Sequence, residues 1–380
     1  MKIAMICPYS LSIPGGVQGQ VLGLARALRE IGHEARVLAP CDGPPPTPFV
    51  MSVGPSTKVE SNGSISPIAP GKVAAQRTLE ALRGFEPDVM HLHEPLVPGP
   101  TTFALLGTTI PSVGTFHMAA DRRDSFYRYL RKPATGVAKR LTIRTAVSED
   151  ARRTAQESLG GSYWVLPNGV DVVPFAKADP WPSDVPAVLF VGRHEPRKGL
   201  GVLLDAWQGI EREAVLWVAS DGPETASLKA RKVRHVQWLG RITDDEKARR
   251  MRGAEIFCAP AISGESFGVV LLEAMAANTA VVASDIPGYR NVARPDVEAL
   301  MTAPGDAASL RHALRRLLDD PDRRADLVVA GERRTAEFSM SRLAERYVPV
   351  YESAIACAPR ERTREWPTVA GQWWRPGAGE

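Results

Sequence analysis

Short runs of apolar residues, each followed by a loop and then by a helix-spaced stripe, recur along the whole chain. The first run, Ile3–Cys7, ends at Pro8. After a loop closing in Pro14-Gly15-Gly16, apolar residues return at Val17, Val21, Leu24, Ala25, Leu28 and Ile31, the spacing of one helix face. Gly32 follows, where a left-handed residue commonly ends a helix. Arg36–Ala39, Val89–His93, Ser112–Phe116 and Ile143–Val147 repeat the strand pattern. It restarts with Ala187–Val191, Val215–Val218, Val236–Leu239, Ile256–Ala259 and Val281–Ala283. Strands that are apolar throughout and alternate with helices predict parallel sheets covered on both faces. Cys41–Gly71 is rich in Pro, Gly and Ser and predicts short strands and long loops. A second proline-rich patch, Lys177–Pro186, marks the expected linker. The pattern predicts an α/β protein with two Rossmann-like domains, over 1–177 and 178–340, then a helix over 341–357 and an unassigned tail over 358–380.

Composition narrows the class. A length of 380 residues suits two domains, and 44% hydrophobic with 24% charged residues excludes collagen-like and disordered chains. No apolar run approaches the roughly 18 residues of a membrane span. A net charge of +4 gives nucleic-acid binding no support, and four scattered cysteines form neither a zinc motif nor a disulfide framework. Ile3–Cys7 is too short for a signal-peptide core, so a cytoplasmic location is expected. One region stands out: 121–144 carries eight basic and two acidic residues, among them Arg122, Arg123, Arg128, Arg131, Lys132, Lys139, Arg140 and Arg144. Phe126, Leu130, Val137 and Leu141 fall near helical spacing there, interrupted by Pro133. This is either a basic surface for anionic lipid headgroups or the solvated side of a core helix.

Ligands of open parallel sheets bind at the carboxyl ends of the strands, so the loops there are where chemistry is expected. Gly15 and Gly16 let backbone approach a ligand before the first helix, and they are not a GxGxxG dinucleotide fingerprint. Arg193 and Lys198 flank Pro196 after Ala187–Val191, two cations placed to clamp a diphosphate. Glu265-Ser266 reads as a helix start, from which Gly268 and its neighbours Phe267 and Val269 offer N–H groups to phosphate. Glu273, eight residues on, is placed either to bind ribose hydroxyls or to sit in a salt bridge on a buried helix. His117 ends Ser112–Phe116. No metal-ligand set is visible.

Together GRHEPRKG (192–199) and GESFGVVLLEAMA (264–276), with PGGVQ (14–18), HLHEP (91–95), TFH (115–117) and LPNGVD (166–171), resemble the retaining GT-B glycosyltransferases of family 4. The resemblance covers Met1 to about Ala356 and is strongest to actinobacterial phosphatidylinositol mannosyltransferases, through CPYSLSIPGGVQ (7–18), AVSEDAR (146–152) and AVVASD (280–285). It implies two domains facing across a cleft, with the last helix returning to the first. It also implies GDP-mannose as co-substrate, an inositol lipid as acceptor, retention of configuration and no required cofactor or metal. Carried over by position, His117, Arg193, Lys198 and Glu265 would be catalytic. Gly15, Gly16, Ser266, Phe267, Gly268, Val269 and Glu273 would complete the donor site. Gln18, Asn62, Ser64 and Arg122 would bind acceptor, and 122–144 would meet the inner face of the membrane. This sequence departs from that group in the four residues between Arg193 and Lys198, the spacing of the broad family where the inositol-lipid enzymes carry one more, at Ser61, Pro67 and Met118, in a basic helix thinned to Lys72, Arg77 and Arg83, and at Asn278, where glycine is usual. A soluble sugar or inositol-phosphate acceptor, a UDP-sugar donor, and a non-catalytic binding scaffold are the alternative readings.

Overall fold

The computed structural model describes residues 1–61, 64–119, 131–211 and 213–357. Lys2–Ile6 (β1) pairs in parallel with Glu34–Ala39 (β2), Ile3 opposite Ala35, and with Val89–His93 (β6), Ile3 opposite Val89. Val50–Ser52 (β3), Ser112–Phe116 (β7), Ile143–Ala146 (β8) and Trp164–Val165 (β9) complete the first sheet, in the order β3–β2–β1–β6–β7–β8–β9. Ala187–Val191 (β10), Val215–Ala219 (β11), Val236–Gly240 (β12), Ile256–Ala259 (β13), Ala280–Ser284 (β14) and Ala299–Thr302 (β15) form the second, in the order β12–β11–β10–β13–β14–β15. Both are parallel and doubly wound, with topological switch points at β1/β6 and β10/β13. Thr57–Ser61 (β4) and Ser64–Ile68 (β5) form a separate antiparallel hairpin within the Pro/Gly/Ser-rich stretch.

The strands are apolar runs because helices cover both faces. Ile3, Ala4, Met5 and Ile6 are all fully buried. The helix Gly16–Glu30 buries Val21, Leu24, Ala25 and Leu28 against that sheet, and Gly32 closes it at φ 90°. Asn278 also has positive φ, 55°, a conformation Asn tolerates better than most side chains.

The last helix, Met340–Ala356, starts at Ser339, whose hydroxyl accepts the Arg342 N–H at 3.3 Å. It buries Met340, Leu343, Ala344, Tyr347, Val350, Tyr351 and Ala354 in the core of the first domain, so the chain crosses back after completing the second. The outward crossing lies beside the return: Val170 N–H donates to Phe338 carbonyl at 2.8 Å, and Met340 N–H to Val170 carbonyl at 3.0 Å. Val170 and Phe175 already sit in the second domain's core, ahead of the expected boundary at 177/178, because the short helix Val172–Ala176 packs there before the proline-rich patch begins. Among the described residues no helix is long and apolar enough to cross a membrane.

Candidate active site

The loops that follow β7 and β10 both reach the loop that follows β13. The domains touch there: Ala119 N–H donates to the Ser266 hydroxyl at 3.1 Å.

The loop after β10 folds into a single 3-10 turn, Pro196–Lys198, closed by Gly199 at φ 71°. A Cβ on Gly199 would overlap the Pro260 carbonyl, 1.9 Å away, so only glycine lets this loop lie against the one after β13. The contact assembles a chain of charges. Glu195, 5% exposed, pairs with Arg193 at 3.0 Å and Arg197 at 2.9 Å. Arg197 reaches Glu265 at 3.3 Å, and Lys198 reaches the same carboxylate oxygen at 2.5 Å. Three cations against two carboxylates leave a positive excess at the mouth of the cleft.

Glu265 and Ser266 lie in the loop rather than starting a helix. Gly268, at φ 91°, is the N-cap, and the helix runs Val269–Ala276. The early start read from the sequence fails because the left-handed backbone at Gly268 interrupts it. Phe267 is 3% exposed and packs edge-on against Phe338, so only its backbone is available to a ligand. On the same helix the Glu273 carboxylate pairs with Lys247 at 3.0 Å. Burial pulls the Lys247 ammonium down, but the charge and hydrogen bond of Glu273, helped by Asp244, outweigh it and hold the group above its ordinary value.

In the first domain Gly15 is extended at φ −171°, and a Cβ on Gly16 would meet nothing within 4 Å. Neither glycine is needed for backbone strain. A Cβ on Gly15 would run into the Gln18 side-chain amide, so the open space at this helix N-terminus lies at Gly16. Gln18 is turned inward, its amide donating to the Ser10 and Ile13 carbonyls at 3.4 and 3.2 Å, and so braces this loop. His117 is 8% exposed at the end of β7. Its backbone N–H donates to Glu94 Oε1 at 2.8 Å, and its Nε2 lies 3.0 Å from His93 Nδ1. Glu94 is 4% exposed and left-handed at φ 48°, a strained backbone of the kind held at functional sites. Behind them His91 contacts the Tyr351 hydroxyl at 2.8 Å and the Thr115 hydroxyl at 2.6 Å. Burial pushes His91 and His117 down to about 3 and His93 well below its ordinary value, so all three rings are neutral at pH 7.

The structure therefore ties Arg193, Lys198 and Glu265 into one chain of charges and joins Ser266 to the loop that carries His117, while Glu273 lies on the helix Val269–Ala276 that Gly268 caps, and Gly15 and Gly16 open the first helix of the other domain. Asn62 and Arg122 lie outside the described residues, as does the side chain of Ser64. Of the basic segment, Lys139 is exposed, Arg140 donates to the Leu105 carbonyl at 3.2 Å, and Arg144 donates to the Gly160 carbonyl at 3.0 Å. Reasoning from sequence passed over Glu195, Arg197, Lys247, His93 and Glu94. Glu195 and Arg197 were signalled by alternating charge inside the 192–199 motif, and His93 by its i, i+2 spacing from His91 on one strand face. No local signal links Lys247 to Glu273. Among the described residues no group of three His, Cys, Asp or Glu side chains converges as a metal site.

Comparison with known proteins decides the family. Residues 14–173 match the family model described as Glycosyltransferase Family 4, and 175–334 the one described as Glycosyl transferases group 1. The chain is 37% identical over 365 residues to the phosphatidyl-myo-inositol mannosyltransferase of Mycolicibacterium smegmatis, covering 93% of this chain and 94% of that protein. It is a family 4 glycosyltransferase. The phosphatidyl-myo-inositol mannosyltransferase of Mycobacterium leprae is 38% identical, with 93% and 97% covered. Sucrose-phosphate synthase from Thermosynechococcus elongatus, 20% identical, shares the fold with a TM-score of 0.72 over 93% of this glycosyltransferase and 99% of that chain. The two parallel-sheet domains and the returning helix are thus a GT-B fold.

Proposed function

We propose that this glycosyltransferase moves mannose from GDP-mannose to the inositol ring of a phosphatidylinositol-type lipid, with retention of configuration. The observation that carries the reading is the 37% identity, over 93% of the chain, to proteins named phosphatidyl-myo-inositol mannosyltransferase, with GRHEPRKG and GESFGVVLLEAMA both in place. The chemistry follows from the charge chain. Glycosyl transfer places negative charge on the departing diphosphate, and Arg193 and Lys198 stabilise it at the end of β10. The N–H groups at the start of Val269–Ala276 and beside Gly16 add neutral donors. Entry of the diphosphate gives Lys198 a new anionic partner and leaves the Glu265 carboxylate for sugar hydroxyls. Glu273, steadied by Lys247, takes the ribose. His117 faces the transferred sugar. The acceptor is met by the first domain, and the enzyme sits at an anionic membrane surface through residues 122–144.

The test is a donor-by-acceptor screen read by product mass. GDP-mannose and UDP-glucose are each offered with phosphatidylinositol vesicles, with inositol 1-phosphate and with free inositol. One hexose added to phosphatidylinositol from GDP-mannose is the expected result. Transfer only to a soluble acceptor, or only from UDP-glucose, would overturn the reading.

A further inference from the structure

His93 is 2% exposed, and its Nε2 has no hydrogen-bonding partner among the described residues. Its other nitrogen, Nδ1, lies 3.0 Å from His117 Nε2, so one of the two must carry the shared proton. If Nε2 of His93 carried its proton, an N–H donor would be buried unmet. Buried donors without partners are rarer than under-used acceptors, which places the proton on Nδ1. His91 stacks on His93 at 4.2 Å and is itself tied to Tyr351 and Thr115, so the ring of His93 has no freedom to turn.

We infer that His93 is a positioning residue, whose Nδ1–H donates to His117 Nε2 and holds His117 in the tautomer with its proton on Nδ1. A histidine's tautomer is set by the hydrogen bond its other nitrogen makes. His117 then offers a ligand an N–H donor rather than a basic lone pair, through Nδ1, which no described residue hydrogen-bonds. It orients a sugar oxygen and takes no proton from the acceptor. The inference rests on the proposed function for its ligand, but not for its hydrogen-bond geometry.

Two measurements test it on the full chain. Long-range 15N spectra of the histidine rings, with His117 assigned by loss of its signal in His117→Gln, should show a protonated Nδ1 and an unprotonated Nε2. The opposite tautomer would overturn the inference, whatever the enzyme transfers. Kinetically, His93→Leu should lower kcat about 10- to 100-fold with donor KM unchanged. His93→Asn, whose amide occupies the place of Nδ1, should recover kcat to within about threefold, as the geometric argument requires. Equal loss in the two variants, tracking a fall in melting temperature, would reduce His93 to a packing residue. If the wild type transfers no mannose, the proposed function fails while the tautomer spectrum still decides this one.

Discussion

The two halves of the cleft are built on opposite electrostatic plans. In the second domain the proposed donor-site groups are ion-paired and partly wetted: the side chains of Lys198 and Arg193 are 21% and 44% exposed, each against a carboxylate. In the first the groups are buried imidazoles and hydroxyls beside the Glu94 carboxyl, with His91, His93 and Thr115 between 0% and 2% exposed. A wetted ion pair is worth little on its own and exchanges partners readily, which suits a site that must receive and release a diphosphate. A buried hydrogen-bonded network cannot exchange partners without leaving groups unmet, which suits a site that must hold one geometry.

That contrast can be broken in several ways. Lys198→Ala should cut kcat/KM about 10²- to 10³-fold, the cost of losing one group that meets developing charge, with the melting temperature near wild type. Transfer within threefold of wild type would put the charged half outside the chemistry. The imidazole half should show itself in pH dependence. His91, His93 and His117 are pushed below their ordinary value by burial, two of them to about 3, so below pH 6.5 the unfolded chain binds protons that the folded chain refuses. Stability should therefore fall as pH drops from about 6.5 toward 3, by up to about 1.4 kcal/mol per pH unit for each ring. Urea unfolding at pH 7.5 and 5.5 measures this, and His93→Asn should remove about one ring's share of the slope. An unchanged slope would show that ring to be open to solvent.

Tyr351→Phe removes the hydroxyl that meets His91 Nδ1 and should cost about 1–2 kcal/mol of stability while leaving donor KM alone. A shift in donor KM would mean that the crossing helix reaches the charged half as well. The smallest effect is expected at the membrane. Lys139→Glu should weaken co-sedimentation with phosphatidylserine vesicles only several-fold at low salt, since each basic residue near such a surface contributes about 1 kcal/mol. Salt-insensitive binding would remove electrostatics from the membrane proposal.

Much of this molecule was legible along the chain. Ile3–Cys7 and Ala187–Val191 read as buried strands because parallel sheets covered on both faces leave no polar alternation. Arg193, Lys198 and Glu265 stood out as candidates because strand-end loops collect chemistry in such folds, and the structure joins the three in one chain of charges. One reading fails. Glu265-Ser266 resembled a helix start, but the left-handed backbone at Gly268 sets the true one. Phe267 was read as a backbone donor, and Phe338, brought back by the return crossing, packs on its ring and leaves only that backbone to a ligand.

By itself the sequence determined the alternation of strands and helices, the division into two domains and the identity of the charged motif, because each depends on residues within a few turns of one another. Only the tertiary structure decided which groups hold which. Lys247 reaches Glu273 across 26 residues, His93 meets His117 across 24, and Tyr351 returns to His91 across 260. Those pairings exist because two sheets and a returning helix bring the strand ends together, and no local propensity encodes that distance.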